Sequence, residues 1–334
     1  MKNLTKNLFL FMMIMSTYIV ISSNNWLSMW MGMEINMISF MPILFNYKNN
    51  MSSKSMMIYF LIQSMGSILM LMTITLSNKL FINKFTTIDL AMNLLFTSML
   101  IKLGAAPLHF WMPEIMETMN WMSCLLLMTW QKIAPMMMMT NMLLNIKMLS
   151  MTVIMGTIIG AMGALNETSV RKIMAYSSIS HLAWMMMCLK FNNEMWMNYL
   201  IVYSLMIMSI TLWFKKMSII NINQMNSSNM KTTEKMTYMI MFMSLGGMPP
   251  MIGFLPKWMV IQSLMYSNMY MILTIMVLTT LMTLYYYMRM MSNMLMMNMS
   301  TNMLSISLKK SKKMQLTIIT INILLPMLMM TTTF

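Results

Sequence analysis

Four ionisable side chains stand inside long apolar runs of this 334-residue sequence: Glu34, Lys102, Lys132 and Lys257. Carrying a charge to mid-bilayer costs roughly 2.5–3.5 kcal/mol on insertion scales, so each needs a partner, water or a function. Amines and a carboxylate in such places can hold and pass protons. Glu34 lies near the centre of the run 26–46, and Lys102 closes another run just before Gly104 and Pro107. Pro107 has no N–H for the carbonyl of Leu103, which leaves backbone acceptors beside the lysine. A helix C-terminal end favours a cation, whereas apolar burial disfavours it. Glu34 is the expected ion-pair partner: with it near, Lys102 keeps its proton, and with it moved or neutralised Lys102 lets go. Lys132 sits in Trp130–Pro135, where Pro135 is expected to loosen the helix. Lys257 follows Pro256, where a second half-helix is predicted to begin. A helix N-terminus repels a cation, so Lys257 is expected to hold its charge less firmly than Lys102. The two histidines, His109 and His181, also lie in apolar runs. His181 shares a helix face with Ser177 and Ser178. Either histidine could serve as an interhelical hydrogen bond, but beside intramembrane lysines the pair points to a hydrated relay.

The elements that must position these groups are membrane spans. Only 22 basic and 7 acidic residues occur, 59% of the chain is hydrophobic and the mean hydropathy is +0.66. These values imply an all-α polytopic membrane protein forming a single membrane domain over 1–334. About eleven spans are expected, near 8–23, 26–46, 54–77, 85–118, 121–145, 148–165, 168–189, 195–217, 236–267, 268–293 and 314–332. With these spans, fifteen basic residues fall on the N-terminal side, Lys215, Lys216 and the patch Lys309–Lys313 among them. Four, Lys79, Lys84, Lys147 and Lys190, fall on the other side. That asymmetry places the N-terminus on the negative, cytoplasm-like side. It also explains the net charge of +15 without nucleic acid, for which no basic stripe interleaved with aromatics is present.

The fourth and ninth spans are too long for one straight crossing and contain internal Gly and Pro. The expected breaks are Gly104 and Pro107 in the first, and Gly246, Gly247, Pro249, Pro250 and Pro256 in the second. Leu103–Pro107 aligns with Leu245–Pro249 at an offset of 142 residues. The two breaks are five spans apart, so the halves cross in opposite senses. Paired broken helices in inverted halves are a transporter signature. The repeats are expected over about 8–145 and 148–293, with 314–332 as an extra C-terminal helix.

Several features carry packing rather than chemistry. Cys124 and Cys188 read as small hydrophobes. No Cys/His cluster, phosphate loop or dinucleotide fingerprint is present, so no redox cofactor or metal is expected in this chain. The 66 methionines stand where Leu or Ile would serve, as a coding bias would leave them. Gly156, Gly160 and Gly163 read as close-packing sites. Glu114 and Glu117 read as solvated, and Trp26, Trp30, Trp196 and Tyr285–Tyr287 as interfacial or packing aromatics. The N-terminal run lacks a small-residue cleavage site and reads as an uncleaved first span.

Five stretches carry a resemblance: WLSMWMGMEIN (26–36), KLGAAPLHFWMP (102–113), WQKIAP (130–135), RKIMAYSSISH (171–181) and SLGGMPPMIGFLPKW (244–258). Together, over about residues 20 to 290, they resemble the NADH-ubiquinone oxidoreductase chain 2 family, antiporter-like subunits of respiratory complex I. The resemblance implies a truncated antiporter-like fold in the mitochondrial inner membrane, with the N-terminus in the matrix. It implies proton translocation along a Glu/Lys/His polar axis, coupled to quinone reduction elsewhere. FMN, iron–sulfur clusters and ubiquinone would be bound by other subunits. Chain 4 and chain 4L would be neighbours, with accessory subunits and phospholipids, including cardiolipin, around them. It assigns Glu34 and Lys102 as an ion pair, Lys132 as the central relay and Lys257 as the far-end lysine, with His109 and His181 matching more loosely. A mitochondrial code that reads an AU-rich codon as Met fits the methionine excess. The competing readings are a stand-alone cation/proton antiporter and a purely structural membrane subunit.

Overall fold

The computed structural model describes residues 3–45, 50–79, 86–142, 145–191, 194–227 and 232–295. The predicted span 314–332 and the patch Lys309–Lys313 lie outside them. Among the described residues the chain is helical, with a single bridge between Ser169 and Asn221 and no strand. In chain order the helices are α1 (Asn3–Ser22), α2 (Trp26–Leu44), α3 (Asn50–Lys79), α4 (Thr86–Leu103), α5 (Trp111–Thr118), α6 (Trp121–Met128) and α7 (Trp130–Thr140). Then come α8 (Ile146–Gly163), α9 (Val170–Cys188), α10 (Met195–Met217), α11 (Ile222–Ser227), α12 (Thr232–Gly246), α13 (Phe254–Tyr266) and α14 (Tyr270–Leu295).

Six of these are long and apolar enough to cross a membrane: α1, α2, α3, α8, α10 and α14. The rest fall short because they are interrupted or because they carry polar side chains inward. The distribution of side chains is that of a chain in lipid. Leu8, Phe11, Tyr18, Met65 and Leu278 point outward, while Asn36, Gln63, Lys102, Lys132, His181 and Lys257 are buried. Hydrocarbon outside cannot hydrate a polar group, so polar groups face one another.

The chain divides into two compact units, Met1–Gly156 and Thr157–Phe334. In the first, α1 packs on α2, α3 on α4 and α5, and α7 against α1, α2 and α4. In the second, α9, α10 and α14 each pack on α13, and α12 packs on α10 and α14. Within this unit α8 approaches α9 so closely that a Cβ on Gly160 would sit 2.8 Å from the backbone nitrogen of Ser180.

Each unit contains a helix broken at a glycine, and these two breaks are built alike. α4 ends at Leu103; Gly104 has φ +65, its N–H bonds the Ile101 carbonyl at 3.2 Å and the Ala105 N–H bonds the Leu100 carbonyl at 3.0 Å. α12 ends at Gly246; Gly247 has φ +75, its N–H bonds Ser244 at 3.0 Å and the Met248 N–H bonds Met243 at 3.1 Å. Both are Schellman caps, whose left-handed residue suits glycine because it lacks a Cβ. Ala106–Pro107 and Pro249–Pro250 are both cis. The caps correct the repeat register to 143 residues, Gly104 to Gly247, because Gly246 is still helical. In that register Pro113 matches Pro256, Lys102 matches Leu245 and Lys257 matches Glu114.

Two expected breaks are not breaks. Pro256 lies in the first turn of α13, where a missing N–H goes unmissed. Pro135 lies inside α7, and the fifth span is interrupted at Thr129 instead (φ −114, ψ −71). The Thr129 hydroxyl bonds the Leu125 carbonyl at 2.7 Å, a side-chain bond that competes with the helical ladder.

Candidate proton-transfer sites

In the first unit, Lys102 and Lys132 line one small cavity with Tyr59, Gln63, Leu103, Trp111, Leu127 and Gln131. Its free space is about 10 Å³, close to what one water occupies. The break makes this possible. The last carbonyls of α4 are taken by neutral donors: Gln63 Nε2 bonds Lys102 O at 3.1 Å, and Trp111 Nε1 bonds Ile101 O at 3.2 Å. The Lys102 ammonium is therefore not needed to cap its own helix. Polar contacts continue from the cavity wall: Tyr59 OH donates to Gln131 Oε1 at 3.4 Å, and Gln131 Nε2 donates to Asn36 Oδ1 at 3.1 Å.

Glu34 sits on α2, and its Oε1 is buried without a hydrogen bond among the described residues. The expected ion pair is not a contact, since no hydrogen bond or ion pair within 4 Å joins the Glu34 and Lys102 side chains among the described residues. They lie on helices that meet through α3 and α7. His109 is buried, and its Nδ1 donates to the Pro107 carbonyl at 3.1 Å. It closes its own turn and does not line the lysine cavity.

In the second unit, Lys257 and His181 line one cavity with Thr157, Ser180, Trp184, Thr279, Thr280 and Thr283. His181 Nδ1 pairs with Tyr199 OH at 2.9 Å, and its ring lies 5.0 Å from that of Tyr203. Lys257 overturns the expectation drawn from its place in the chain. Its backbone is in the first turn of α13, but Nζ reaches back across the break and donates to Gly246 O at 2.8 Å. The ammonium thus sits at the C-terminal end of α12, which favours a cation. Trp184 covers it, with Nζ 6.0 Å from the ring centroid.

Sequence reasoning missed several members of these clusters. Gln63, Tyr59 and Gln131 build the first; their signal was polar side chains in mid-span. Of the interfacial or packing aromatics, Tyr286 and Tyr287 are packed in the core, with Tyr287 beside Ser177 and Tyr286 beside Ser180. Only Tyr285 of that trio faces outward. Glu234 is a buried residue in the first turn of α12. It was hidden because it sits beside a polar connection. Glu114 and Glu117 are exposed, and Cys124 and Cys188 are buried free thiols. No group of three or more metal-ligating side chains gathers among the described residues.

A family model described as NADH:quinone oxidoreductase/Mrp antiporter, TM, matches residues 23–283. NADH-ubiquinone oxidoreductase chain 2 of Anopheles gambiae is 45% identical over 311 residues, covering 90% of this chain and 89% of that one. Its counterpart in Locusta migratoria is 44% identical over 288 residues, covering 86% and 84%. The rabbit protein, Oryctolagus cuniculus, is 38% identical over 299 residues, covering 86% and 85%. Among solved structures, a chain of respiratory complex I from Thermus thermophilus with bound aureothin superposes with TM-score 0.84 at 18% identity, covering 97% of this chain and 77% of that one. A chain of the Mrp complex from Dietzia sp. DQ12-45-1b gives 0.76 at 13% identity, covering 85% and 59%. The last two establish a shared antiporter-like fold.

Proposed function

This chain belongs to the NADH-ubiquinone oxidoreductase chain 2 family, and on that premise we propose that it is a proton-translocating membrane-arm subunit of respiratory complex I. The observation that carries the reading is the pair Lys102 and Lys132 facing one cavity at a helix break. Two amines in so small a polar space do not hold two protons as easily as one, because like charges repel and water is scarce. A proton entering at one favours release at the other. Glu34 biases Lys102 through its field, and Lys257 with His181 forms a second station in the other unit. His109, held on its own turn, orders the first break.

The redox chemistry belongs to other subunits, which bind FMN, the iron–sulfur clusters and ubiquinone. This chain supplies sites whose proton affinities switch when its helices shift. Its place is the mitochondrial inner membrane as a multi-pass subunit. The N-terminus faces the matrix, a reading supported by the basic residues on the N-terminal side. The inverted repeats run over about 8–145 and 148–293. Chain 4 and chain 4L are its expected neighbours, and its basic residues suit phospholipid headgroups such as cardiolipin.

The test is proton transport by the assembled complex in liposomes, with Lys102→Ala or Glu34→Gln in this chain. Loss of protons moved per NADH oxidised, with NADH oxidation retained, supports the reading. Unchanged pumping in a normally assembled complex overturns it in favour of a structural role. Cation/proton exchange by the isolated chain would identify a stand-alone antiporter instead.

A further inference from the structure

We propose that Gln131 is the positioning residue of the first lysine cavity, fastening Lys132 and the cavity wall to the helix that carries Glu34. The inference rests on the proton-translocation reading above. α7 begins immediately after the interruption at Thr129, so its first turn, Trp130 to Lys132, does not continue the ladder of α6 regularly. The Lys132 N–H bonds the Thr129 carbonyl at 3.3 Å, across the interruption. A side chain ties this turn to its neighbours. The Gln131 amide does so by bonding three other helices at once. Its Nε2 donates to Asn36 Oδ1 on α2 at 3.1 Å and lies 3.2 Å from Met13 Sδ on α1. Its Oε1 accepts from Tyr59 OH on α3 at 3.4 Å. Gln131, Tyr59, Lys132 and Lys102 all line the cavity.

The chemistry of an amide suits this place. It donates and accepts but does not ionise in the working pH range, so it orders the wall without holding a proton of its own. In hydrocarbon surroundings an unmatched amide is disfavoured, so Gln131 cannot turn away from its partners independently of α2 and α3. Asn36 follows Glu34 by two positions on α2. No hydrogen bond or ion pair joins Glu34 to Lys102 among the described residues, whereas its helix is tied to the Lys132 turn through Asn36 and Gln131. A displacement of α2 that moves the Glu34 carboxylate is thereby passed to the wall on which Lys132 stands.

The experiment records protons moved per NADH oxidised, as a function of pH, by the assembled complex in liposomes. Gln131→Leu is expected to lower the ratio and shift its pH profile, and Asn36→Leu to reproduce that shift. The double variant is expected to be no worse than either single one, because the two amides act as a unit. Gln131→Glu, which adds a titratable group on the same stem, is expected to introduce a new limb in the pH profile. Tyr59→Phe removes one hydroxyl, keeps the ring, and is expected to give a smaller shift; it serves as the readout if Gln131→Leu fails to assemble. A wild-type profile for assembled Gln131→Leu, or for Tyr59→Phe in that event, overturns the proposal. If Lys102→Ala still abolishes pumping in that preparation, the proposed function stands without it. If Lys102→Ala is silent as well, the function itself fails.

Discussion

A lysine ammonium in hydrocarbon finds its acceptors where backbone carbonyls are left over, and those lie at helix ends. Lys257 uses this directly by bonding Gly246 O, whereas Lys102 has its helix end capped for it by Gln63 and Trp111. The Lys257 arrangement depends on Gly247. A Cβ there would come within 2.9 Å of Lys257 Cδ and 3.0 Å of Nζ. The backbone, at φ +75, would add strain of roughly 1–2 kcal/mol for any side chain. Gly247→Ala is therefore expected to expel Lys257 from the helix end and reduce proton transport in the assembled complex. Gly246→Ala is the control, since its Cβ meets the flexible tip of Leu284 and not the lysine. Equal pumping by the two variants would contradict this account. Glu34, Lys102, Lys132 and Lys257 could all be picked out from the chain alone, because a charge in an apolar run is conspicuous. The direction in which Lys257 points could not, because four methylenes let an amine reach either side of its break.

At the scale of elements, the two breaks share one cap and differ in their charges. With the register at 143 residues, the lysine of the first unit precedes its break and that of the second follows it. The short alignment suggested a register one residue away, since either glycine of Gly246–Gly247 could match Gly104. Only φ and the hydrogen bonds decide between them. The contact between α8 and α9 gives a prediction at this scale. A Cβ on Gly160 would lie 2.8 and 2.9 Å from backbone atoms of Ser180 and Tyr176, which cannot move as a side-chain tip can. Gly160→Val is expected to destabilise the second unit by about 1–3 kcal/mol. Thermal denaturation of the complex should show it as a lower midpoint or a smaller assembled fraction. Wild-type stability would mean that the two helices can part without loss. Arg289 adds a further tie, reaching from α14 to the carbonyls of Leu165 and Glu167 just past the end of α8.

For the whole molecule, the asymmetry of basic residues predicts which ends of the spans share a compartment. Single cysteines at Lys215 and Lys147 should be labelled by an impermeant thiol reagent from opposite faces of the inner membrane, with Lys215→Cys reached from the matrix. The native Cys124 and Cys188 are buried and should stay silent. Labelling of both from one face would sink the topology.

Composition, apolar run length and the placement of a few charges determine that this chain lives in a membrane, that two of its spans are broken by Gly and Pro, and which residues are candidates for proton transfer. These are properties of single segments, set by what hydrocarbon excludes. Tertiary structure alone decides how those residues are grouped. Lys102 and Lys132 line one cavity, Lys257 folds back across its break, and Gln131 and Tyr59 join a site that their own segments mark only as polar. Such groupings depend on which buried donor meets which buried acceptor when helices distant in sequence pack together.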